Sequence, residues 1–179
     1  MSGYTTLANS DAIYLDTSAL AKIEKEEGES SRLVRLLVYG STIPIFTSSV
    51  GFGEFIGIIG REEKNMGGAG GYLYHCRQLM VDFDMQKIRR AEPVPDRFQF
   101  VQLADQLASK HSKLGGGDLW HLLAVLELRQ TYWATTLLSY DKDLIEAAQS
   151  EKIQCVDGCN VLPEILVEEL KAVHKWVAM

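Results

Sequence analysis

The sequence predicts an α/β protein, a three-layer α/β/α sandwich with a mainly parallel central sheet. Apolar runs with strand character alternate with helical stretches along most of the chain. The run YWATTLLSYD is nearly continuous in strand character, as expected of a parallel strand that is covered on both faces. Acidic residues directly follow two of these runs, at the edge of the sheet where open α/β folds bind their ligands.

The first half of the chain predicts strands and helices in alternation. Residues 13–15 form an apolar β run that stops at Asp16, after which the pattern turns helical. Gly40 ends the second helix, and Ser48 or Ser49 caps the third. The predicted elements are a strand at 12–16, helices at about 17–27 and 30–39, a short strand in TIPIFTSS that begins at Pro44 or lies near a sheet edge, and a helix at about 50–65.

The second half is punctuated by two glycine-rich stretches. NMGGAGG at 65–71 predicts a turn or loop, and it lacks the Gly-Lys-Ser/Thr ending of a phosphate loop. LGGG at 114–117 breaks the chain before an apolar helix, DLWHLLAVLELRQ, that Asp118 opens. The other predicted elements are helices at 72–84, 96–113, 142–150 and about 161–176, and strands at 87–94, in YWATTLLSYD and at 152–157.

Length and composition predict one soluble domain over residues 1–179, with a polar N-terminal extension at 1–11. Hydrophobic residues make up 46% and charged residues 23% of the chain, as in ordinary globular proteins. No apolar run approaches the roughly 20 residues of a membrane span, and the N-terminus lacks a secretory signal. We therefore expect a cytoplasmic protein without membrane association. Three tryptophans in apolar surroundings are expected in the core: Trp120, Trp133 and Trp176.

Four acidic residues stand at element boundaries. Asp16 and Asp141 end apolar strands, whereas Glu54 and Asp118 lie near helix starts, and Asp143 follows two residues after Asp141. In a parallel sheet all of these boundaries face one edge. Because crowded carboxylates repel one another, such a cluster is best explained by Mg²⁺ or Mn²⁺, hard ions that prefer oxygen ligands. Ions of this kind activate water and stabilise a leaving oxygen, which predicts a metal-dependent nuclease.

Each of these residues also has a purely structural interpretation. Asp16 or Ser18 is suited to capping the following helix, and Asp118 to capping its own. Asp141 with Asp143 is also typical of a turn. The structural interpretation is weakest for Glu54, which stands between aromatic residues in the stretch GFGEF.

A histidine and a pair of cysteines are further possible metal ligands. His121, three residues after Asp118, is either a further ligand or base, or a hydrogen-bonded buried side chain. Cys155 and Cys159 have the spacing of half a zinc site, but no second pair of ligands matches them.

The motifs IYLDTSAL, SSVGFGEF, DLWHLLAVLE and TTLLSYDKDLIEAA resemble those of the PIN-domain ribonucleases, above all the single-domain VapC toxins. The resemblance covers residues 12 to 160 and implies a PIN-like fold. It implies that Asp16, Glu54, Asp118 and Asp141 form a Mg²⁺ or Mn²⁺ site, to which Asp143 contributes. Ser18 and Ser139 match supporting hydroxyl positions. The implied reaction is attack of metal-activated water on a phosphodiester of single-stranded or structured RNA.

Two regions depart from the compact toxin pattern, the insertion at 61–115 and the added C-terminal helix at about 161–176. They bring the toxin role into question more than the chemistry. That role implies an antitoxin partner protein. The last helix is a candidate homodimer contact or packs on its own core, through an apolar face made of Leu162, Ile165, Leu166 and Leu170.

Two other functions remain open at this point. The first alternative is a catalytically silent PIN-like module that binds nucleic acid or acts as a scaffold. The second is phosphotransfer with Asp16 as nucleophile, which is disfavoured because Ser18 stands where that chemistry requires a second aspartate.

Overall fold

The computed structural model describes residues 3–24, 28–65, 71–93 and 97–177. Within these ranges a parallel sheet has the strand order β3-β2-β1-β4-β5. The strands are β1 (Ala12–Leu15), β2 (Ile45–Thr47), β3 (Arg89–Arg90), β4 (Thr135–Ser139) and β5 (Gln154–Asp157). The α-helices are α1 (Gly3–Ala8), α2 (Thr17–Ala21), α3 (Glu29–Arg35), α4 (Ser49–Asn65), α5 (Gly71–Asp84), α6 (Arg97–Lys110), α7 (Gly116–Leu128), α8 (Lys142–Ser150) and α9 (Pro163–Ala172).

The two central strands, β1 and β4, are buried along their whole length. Their register pairs Ile13 with Thr136 and Leu15 with Leu138, so both strands end at the same level of the sheet. Side chains alternate between the two faces, as the period of a strand requires. Ile13 and Leu15 belong to one apolar cluster, and Tyr14 belongs to the other.

Helices cover both faces of this sheet and form the predicted three layers. The first face packs against helices α1 to α5 and α9, with side chains such as Leu20, Phe55 and Leu166 fully buried. The second face packs against α6, α7 and α8, and Leu122 and Leu144 are fully buried there. Burial of apolar side chains on both faces of the strands accounts for their continuous hydrophobic pattern. The prediction of an α/β sandwich is confirmed.

Several predicted boundaries differ from the observed ones. Helix α2 ends at Ala21, well short of 27, because Lys22 and Ile23 already bond three residues back instead of four. Helix α3 passes into one π-helical turn, Leu36–Gly40. Strand β3 has two residues where eight were predicted, since β2, its partner within the described ranges, has three. Residues 25–27 and the loop at 66–70 lie outside the described ranges.

The C-terminal helix is also shorter than predicted. Helix α9 starts with Pro163 at its first position and stops at Ala172, after which His174 adopts a left-handed φ of 58°. The chain then pairs Trp176 with Ser41, and the indole lies directly over Gly40, where no side chain would fit. Leu166 and Leu170 are buried in the core, whereas Leu162 and Ile165 are exposed.

The N-terminal segment and Trp133 differ from what the sequence predicts. Leu7 and Ala8 of α1, within the segment predicted as a polar extension, are fully buried. The prediction that Trp133 lies in the core is wrong. Its side chain is 81% exposed in the turn before β4, and Arg129 lies over its ring. None of the helices in the described ranges is both long enough and apolar enough to cross a membrane.

Candidate metal centre

Four of the predicted acidic residues lie around the carboxyl edge of the sheet. Asp16 immediately follows β1, and Asp141 follows β4 after one intervening residue. Glu54 is on α4 and Asp118 on α7, two helices that pack against each other. The parallel register therefore brings strand ends and helix starts from distant parts of the sequence to one side of the molecule.

Asp16 is buried, with 3% of its surface exposed, and it is surrounded by donors. The backbone N–H of Ala19 donates to Oδ1 at 2.8 Å, so Asp16 is also the N-cap of α2. The hydroxyl of Ser139 donates to Oδ2 at 2.6 Å, and Ser18 lies 2.9 and 2.8 Å from the two carboxylate oxygens. Burial raises the pKa of Asp16, although these hydrogen bonds act in the opposite direction.

The two serine hydroxyls also tie Asp16 to the next strand. The N–H of Tyr140 donates to Ser18 Oγ at 2.9 Å, and the N–H of Asp141 donates to Ser139 Oγ at 2.9 Å. Asp141 itself is exposed and caps α8 by accepting from the N–H groups of residues 143 and 144. These contacts fix the backbone that carries Asp141 next to the buried carboxylate of Asp16.

The side chain of Glu54 extends from α4 towards the start of α7, and 45% of this side chain is exposed. The hydroxyl of Thr17 donates to Glu54 Oε2, and His121 Nε2 lies 3.6 Å from the same oxygen. His121 and, to a smaller degree, Thr17 lower the pKa of Glu54, while partial burial raises it. The other oxygen, Oε1, lies so close to Gly117 that a Cβ at this position would overlap it.

Asp118 is the third residue of α7, not the residue that opens it. The helix begins at Gly116 because the backbone at Gly115 is still extended, and Asp118 accepts the N–H of Gly115 at 3.1 Å. Desolvation raises the pKa of Asp118, and the negative charges of Asp141 and Glu54 raise it further. The carboxylates of α4, α7 and the end of β4 therefore repel one another across a shared region.

Asp143 lies on a different surface from the other predicted ligands. Its side chain is exposed and lines an open cleft of about 420 Å³ between the end of α6 and helix α8. Lys110, His111 and Glu146 line the same cleft. Only the backbone N–H of Asp143 reaches the candidate site, where it donates to Asp141 Oδ1 at 2.8 Å.

The donor chemistry of the edge fits a hard divalent cation. Its carboxylates supply the oxygen ligands that Mg²⁺ and Mn²⁺ prefer. The raised pKa values of Asp16 and Asp118 indicate negative charge that the protein's own groups do not fully compensate. Within the described ranges, however, no three His, Cys, Asp or Glu side chains lie close enough together to enclose an ion. A cation would have to draw the carboxylates inward.

Two residues of the site were not predicted as members of it. For Thr17, the position directly after Asp16 is the signal in the sequence that points to the site. For His121, the sequence permits two interpretations, a ligand or base and a buried, hydrogen-bonded side chain. It is 1% exposed, with Nδ1 2.8 Å from the Tyr14 hydroxyl and Nε2 3.0 Å from Thr17 Oγ1. Its partners come from β1 and α2, which the sequence alone does not place beside α7.

Comparisons with known proteins identify the fold. Neither a protein-family model nor a curated protein matches the sequence. A chain in the structure of VapBC-1 from nontypeable Haemophilus influenzae matches with a TM-score of 0.54 at 14% identity, over 83% of this chain and 98% of that chain. A chain in the structure of FitAcB from Neisseria gonorrhoeae matches with a TM-score of 0.53 at 15% identity, over 83% of this chain and 99% of that chain. This protein therefore shares its α/β fold, over most of its length, with chains of the VapBC-1 and FitAcB structures.

Proposed function

We propose that this protein is a Mg²⁺- or Mn²⁺-dependent endoribonuclease of PIN-like type that acts as the toxin of a toxin–antitoxin pair. The observation that supports the proposal is the position of Asp16, Glu54, Asp118 and Asp141 around one sheet edge of this fold, with raised pKa values at Asp16 and Asp118. Similarity of fold to chains in the VapBC-1 and FitAcB structures supports the toxin assignment.

In this proposal the carboxylates of Asp16, Glu54, Asp118 and Asp141 hold the cation. When bound, the cation supplies a water of lowered pKa and stabilises the leaving oxygen of the phosphodiester. Ser18 and Ser139 orient the carboxylate of Asp16 through the hydrogen bonds described above. Glu54 remains ionised because His121 and Thr17 lower its pKa, so its charge is available to an ion.

The proposed partners are RNA and an antitoxin protein. Exposed Asp141 and half-exposed Glu54 leave the edge accessible to a single-stranded or structured RNA backbone. A homodimer contact through α9 would rest on Leu162 and Ile165, since the other two apolar residues of that face lie in the core. We also propose that the protein acts in the cytoplasm, where its RNA substrate is found.

The deciding experiment is cleavage of labelled single-stranded RNA with Mg²⁺ or Mn²⁺, with and without EDTA. Asp16→Asn keeps a side chain suited to capping α2 but removes a ligand charge, and Asp141→Asn does the same at α8. Replacing a residue that hydrogen-bonds to a metal ligand typically lowers activity roughly 10- to 100-fold. Both variants, which change a ligand itself, and EDTA should reduce RNA cleavage by more than this. The control is Glu146→Gln, which changes an exposed acidic residue of α8, the helix that Asp141 caps. This variant should cleave RNA as the wild type does.

One observation favours a second candidate, a catalytically silent PIN-like module that binds nucleic acid or a partner. No three potential ligands in the described ranges are close enough together to enclose an ion. This candidate predicts that titration calorimetry finds no Mn²⁺ binding and that the wild-type protein cleaves none of the RNAs tried. Mn²⁺ binding that Asp16→Asn abolishes would rule it out.

A further inference from the structure

Four side chains form one continuous hydrogen-bonded chain beneath the candidate metal centre. The Tyr14 hydroxyl lies 2.8 Å from His121 Nδ1. His121 Nε2 lies 3.0 Å from Thr17 Oγ1, whose hydroxyl donates to Glu54 Oε2. All members except Glu54 are buried, with exposed fractions between 0% and 9%. Buried polar groups of this kind are retained when each has its partner.

The directions of the bonds in this chain follow from the carboxylate at one end and the buried tyrosine hydroxyl at the other. A carboxylate can only accept, so the single proton of the Thr17 hydroxyl is directed at Glu54. Thr17 Oγ1 must then accept from His121, which places the imidazole proton on Nε2. The buried Tyr14 hydroxyl donates its proton to Nδ1, which is therefore unprotonated, and the ring is neutral. Each group therefore donates towards Glu54.

Helix α4 contacts this chain at two residues, Gly51 and Glu54. The N–H of Gly51, in the first turn of α4, donates to Ser48 Oγ at 3.1 Å, and Glu54 lies one turn later. At Gly51 a Cβ would stand 2.7 Å from Thr47 Oγ1 and 3.1 Å from His121 Cε1, so glycine permits the helix to approach the imidazole. His121 thereby connects α4 with β1, α2 and its own helix α7, the elements next to which Asp16, Glu54 and Asp118 lie.

We propose that His121, held as the neutral Nε2–H tautomer, is a positioning residue that aims the Glu54 carboxylate at the cation. With Oε2 held by Thr17, the free oxygen Oε1 is turned towards Gly117 at the start of α7, the helix that carries Asp118. A carboxylate held at one oxygen presents the other in a fixed direction, which lowers the entropy lost when an ion binds. The metal-binding part of this inference rests on the proposed function, whereas the tautomer does not.

The tautomer is tested on the wild-type protein without metal. Two-bond ¹H–¹⁵N correlation spectra of ¹⁵N-histidine-labelled protein distinguish the two neutral tautomers, and His121→Gln identifies the signal of His121. We expect protonated Nε2 and unprotonated Nδ1 for His121. An Nδ1–H tautomer, or a rapidly averaged ring, would overturn the directed chain and with it the positioning role.

The positioning role is tested by Mn²⁺ affinity, measured by electron paramagnetic resonance of free Mn²⁺. His121→Leu fills a similar volume without donor or acceptor and should weaken Mn²⁺ binding about 10- to 100-fold, the usual range for residues behind a metal ligand. His121→Gln keeps an N–H group able to reach Thr17 and should lose less. The matched control is His111→Leu, which removes a histidine paired with Glu151 at 2.7 Å and should leave affinity unchanged.

The outcomes separate this inference from the proposed function. Wild-type protein that binds Mn²⁺ and cleaves RNA, together with a His121→Leu variant of equal affinity, overturns the positioning role alone. Wild-type protein that binds no Mn²⁺ overturns both. If His121→Leu does not fold by circular dichroism, Tyr14→Phe takes its place. Loss of this single hydroxyl should shift the His121 tautomer and weaken Mn²⁺ binding, and unchanged affinity in Tyr14→Phe would overturn the inference.

Discussion

The candidate site has two halves, which the chain builds by different means. The strand half lies at the ends of β1 and β4 and consists of Asp16, Ser18, Ser139 and Asp141. The helix half is supplied by α2, α4 and α7 and consists of Thr17, Glu54, Asp118 and His121. In the strand half, hydroxyls and backbone N–H groups hold a buried carboxylate next to the sheet. In the helix half, a buried imidazole and a hydroxyl hold a half-exposed carboxylate between two helices.

This difference has an electrostatic consequence. Burial raises the pKa of Asp16, so the folded protein holds that negative charge at a cost. His121 and Thr17 lower the pKa of Glu54, whose charge is therefore stabilised by the fold itself. A divalent cation would relieve Asp16 more than Glu54, because the fold stabilises the charge of Glu54 but not that of Asp16. The helix half contributes a ligand that is ionised before any cation arrives.

The strongest test of the helix half is the pair of adjacent glycines at the start of α7. In Gly117→Ala the new methyl would overlap the Glu54 carboxylate and displace it, whereas nothing lies within 4 Å of a Cβ at Gly116. Gly117→Ala should therefore weaken Mn²⁺ binding about 10- to 100-fold, as loss of ligand orientation does elsewhere. Titration calorimetry with Mn²⁺ provides the measurement.

Gly116→Ala is the matched control for this substitution. Gly116 is within the helix and an added Cβ there meets nothing within 4 Å, so the alanine favours folding by about 0.5–1 kcal/mol through the lower entropy of the unfolded chain. Gly116→Ala should thus raise the free energy of unfolding and leave Mn²⁺ affinity as in the wild type. Equal Mn²⁺ affinity in the two alanine variants would mean that the position of Glu54 does not matter for the ion.

In the strand half, the largest effect on stability is expected at Ser139. Its buried hydroxyl donates to Asp16 and accepts from the N–H of Asp141, so Ser139→Ala leaves both groups without that partner. Loss of a hydrogen bond to a charged group typically costs about 1.5–3 kcal/mol, and urea unfolding should show a decrease in this range. Ser112→Ala, at an exposed serine, should stay within about 0.5 kcal/mol of the wild type. A Ser139→Ala variant as stable as Ser112→Ala would contradict this role of the hydroxyl.

The strand half is also the half that could be predicted from the sequence. A buried strand that stops at an acidic residue is visible as a local pattern, and the parallel order of the strands brings such ends together. Asp16 and Asp141 therefore lie where they were expected, beside Ser18 and Ser139. Both aspartates cap helices as well, because a strand end that passes directly into a helix leaves free N–H groups there.

The helix half could be predicted only in part. Glu54 and Asp118 were found from their positions near helix starts, but the contact of Glu54 with Thr17, His121 and Gly117 depends on how α4 packs against α2 and α7. Packing between elements far apart in sequence leaves no local pattern. The same limit explains why β3 was predicted too long and Trp133 was expected in the core, since pairing with a short strand and exposure in a turn are tertiary properties.

Asp16 and Glu54, one carboxylate from each half, should respond to pH in opposite directions when measured without metal. The raised pKa of Asp16 means that its contribution to stability is present at low pH and is lost as pH rises above its unfolded value of about 4. Asp16→Asn should therefore gain stability relative to the wild type as pH rises from about 4 through the raised pKa of Asp16 in the folded protein. The lowered pKa of Glu54 means that its contribution is present at neutral pH and is lost as pH falls, so Glu54→Gln should be the less stable protein at pH 7.

Urea unfolding of the wild type and both variants in EDTA at several pH values measures these slopes. The effect at Glu54 should be the smaller of the two because nearly half of its side chain is in contact with solvent. Parallel slopes for Asp16→Asn and Glu54→Gln would show that the two carboxylates have similar environments, which the structure contradicts.

The smallest effect is expected at Asp143, which tests where the strand half ends. Its carboxylate is exposed and lines the cleft beside α6, while only its backbone N–H reaches the site by donating to Asp141. Asp143→Asn retains that N–H, so RNA cleavage should stay within about twofold of the wild type, the range of about 0.5 kcal/mol typical of surface substitutions. Asp141→Asn, two residues away, serves as the sensitive comparison. A loss in Asp143→Asn as large as that in Asp141→Asn would mean that the Asp143 side chain turns into the site when the cation binds, as the sequence resemblance implies, and the strand half would then extend into α8.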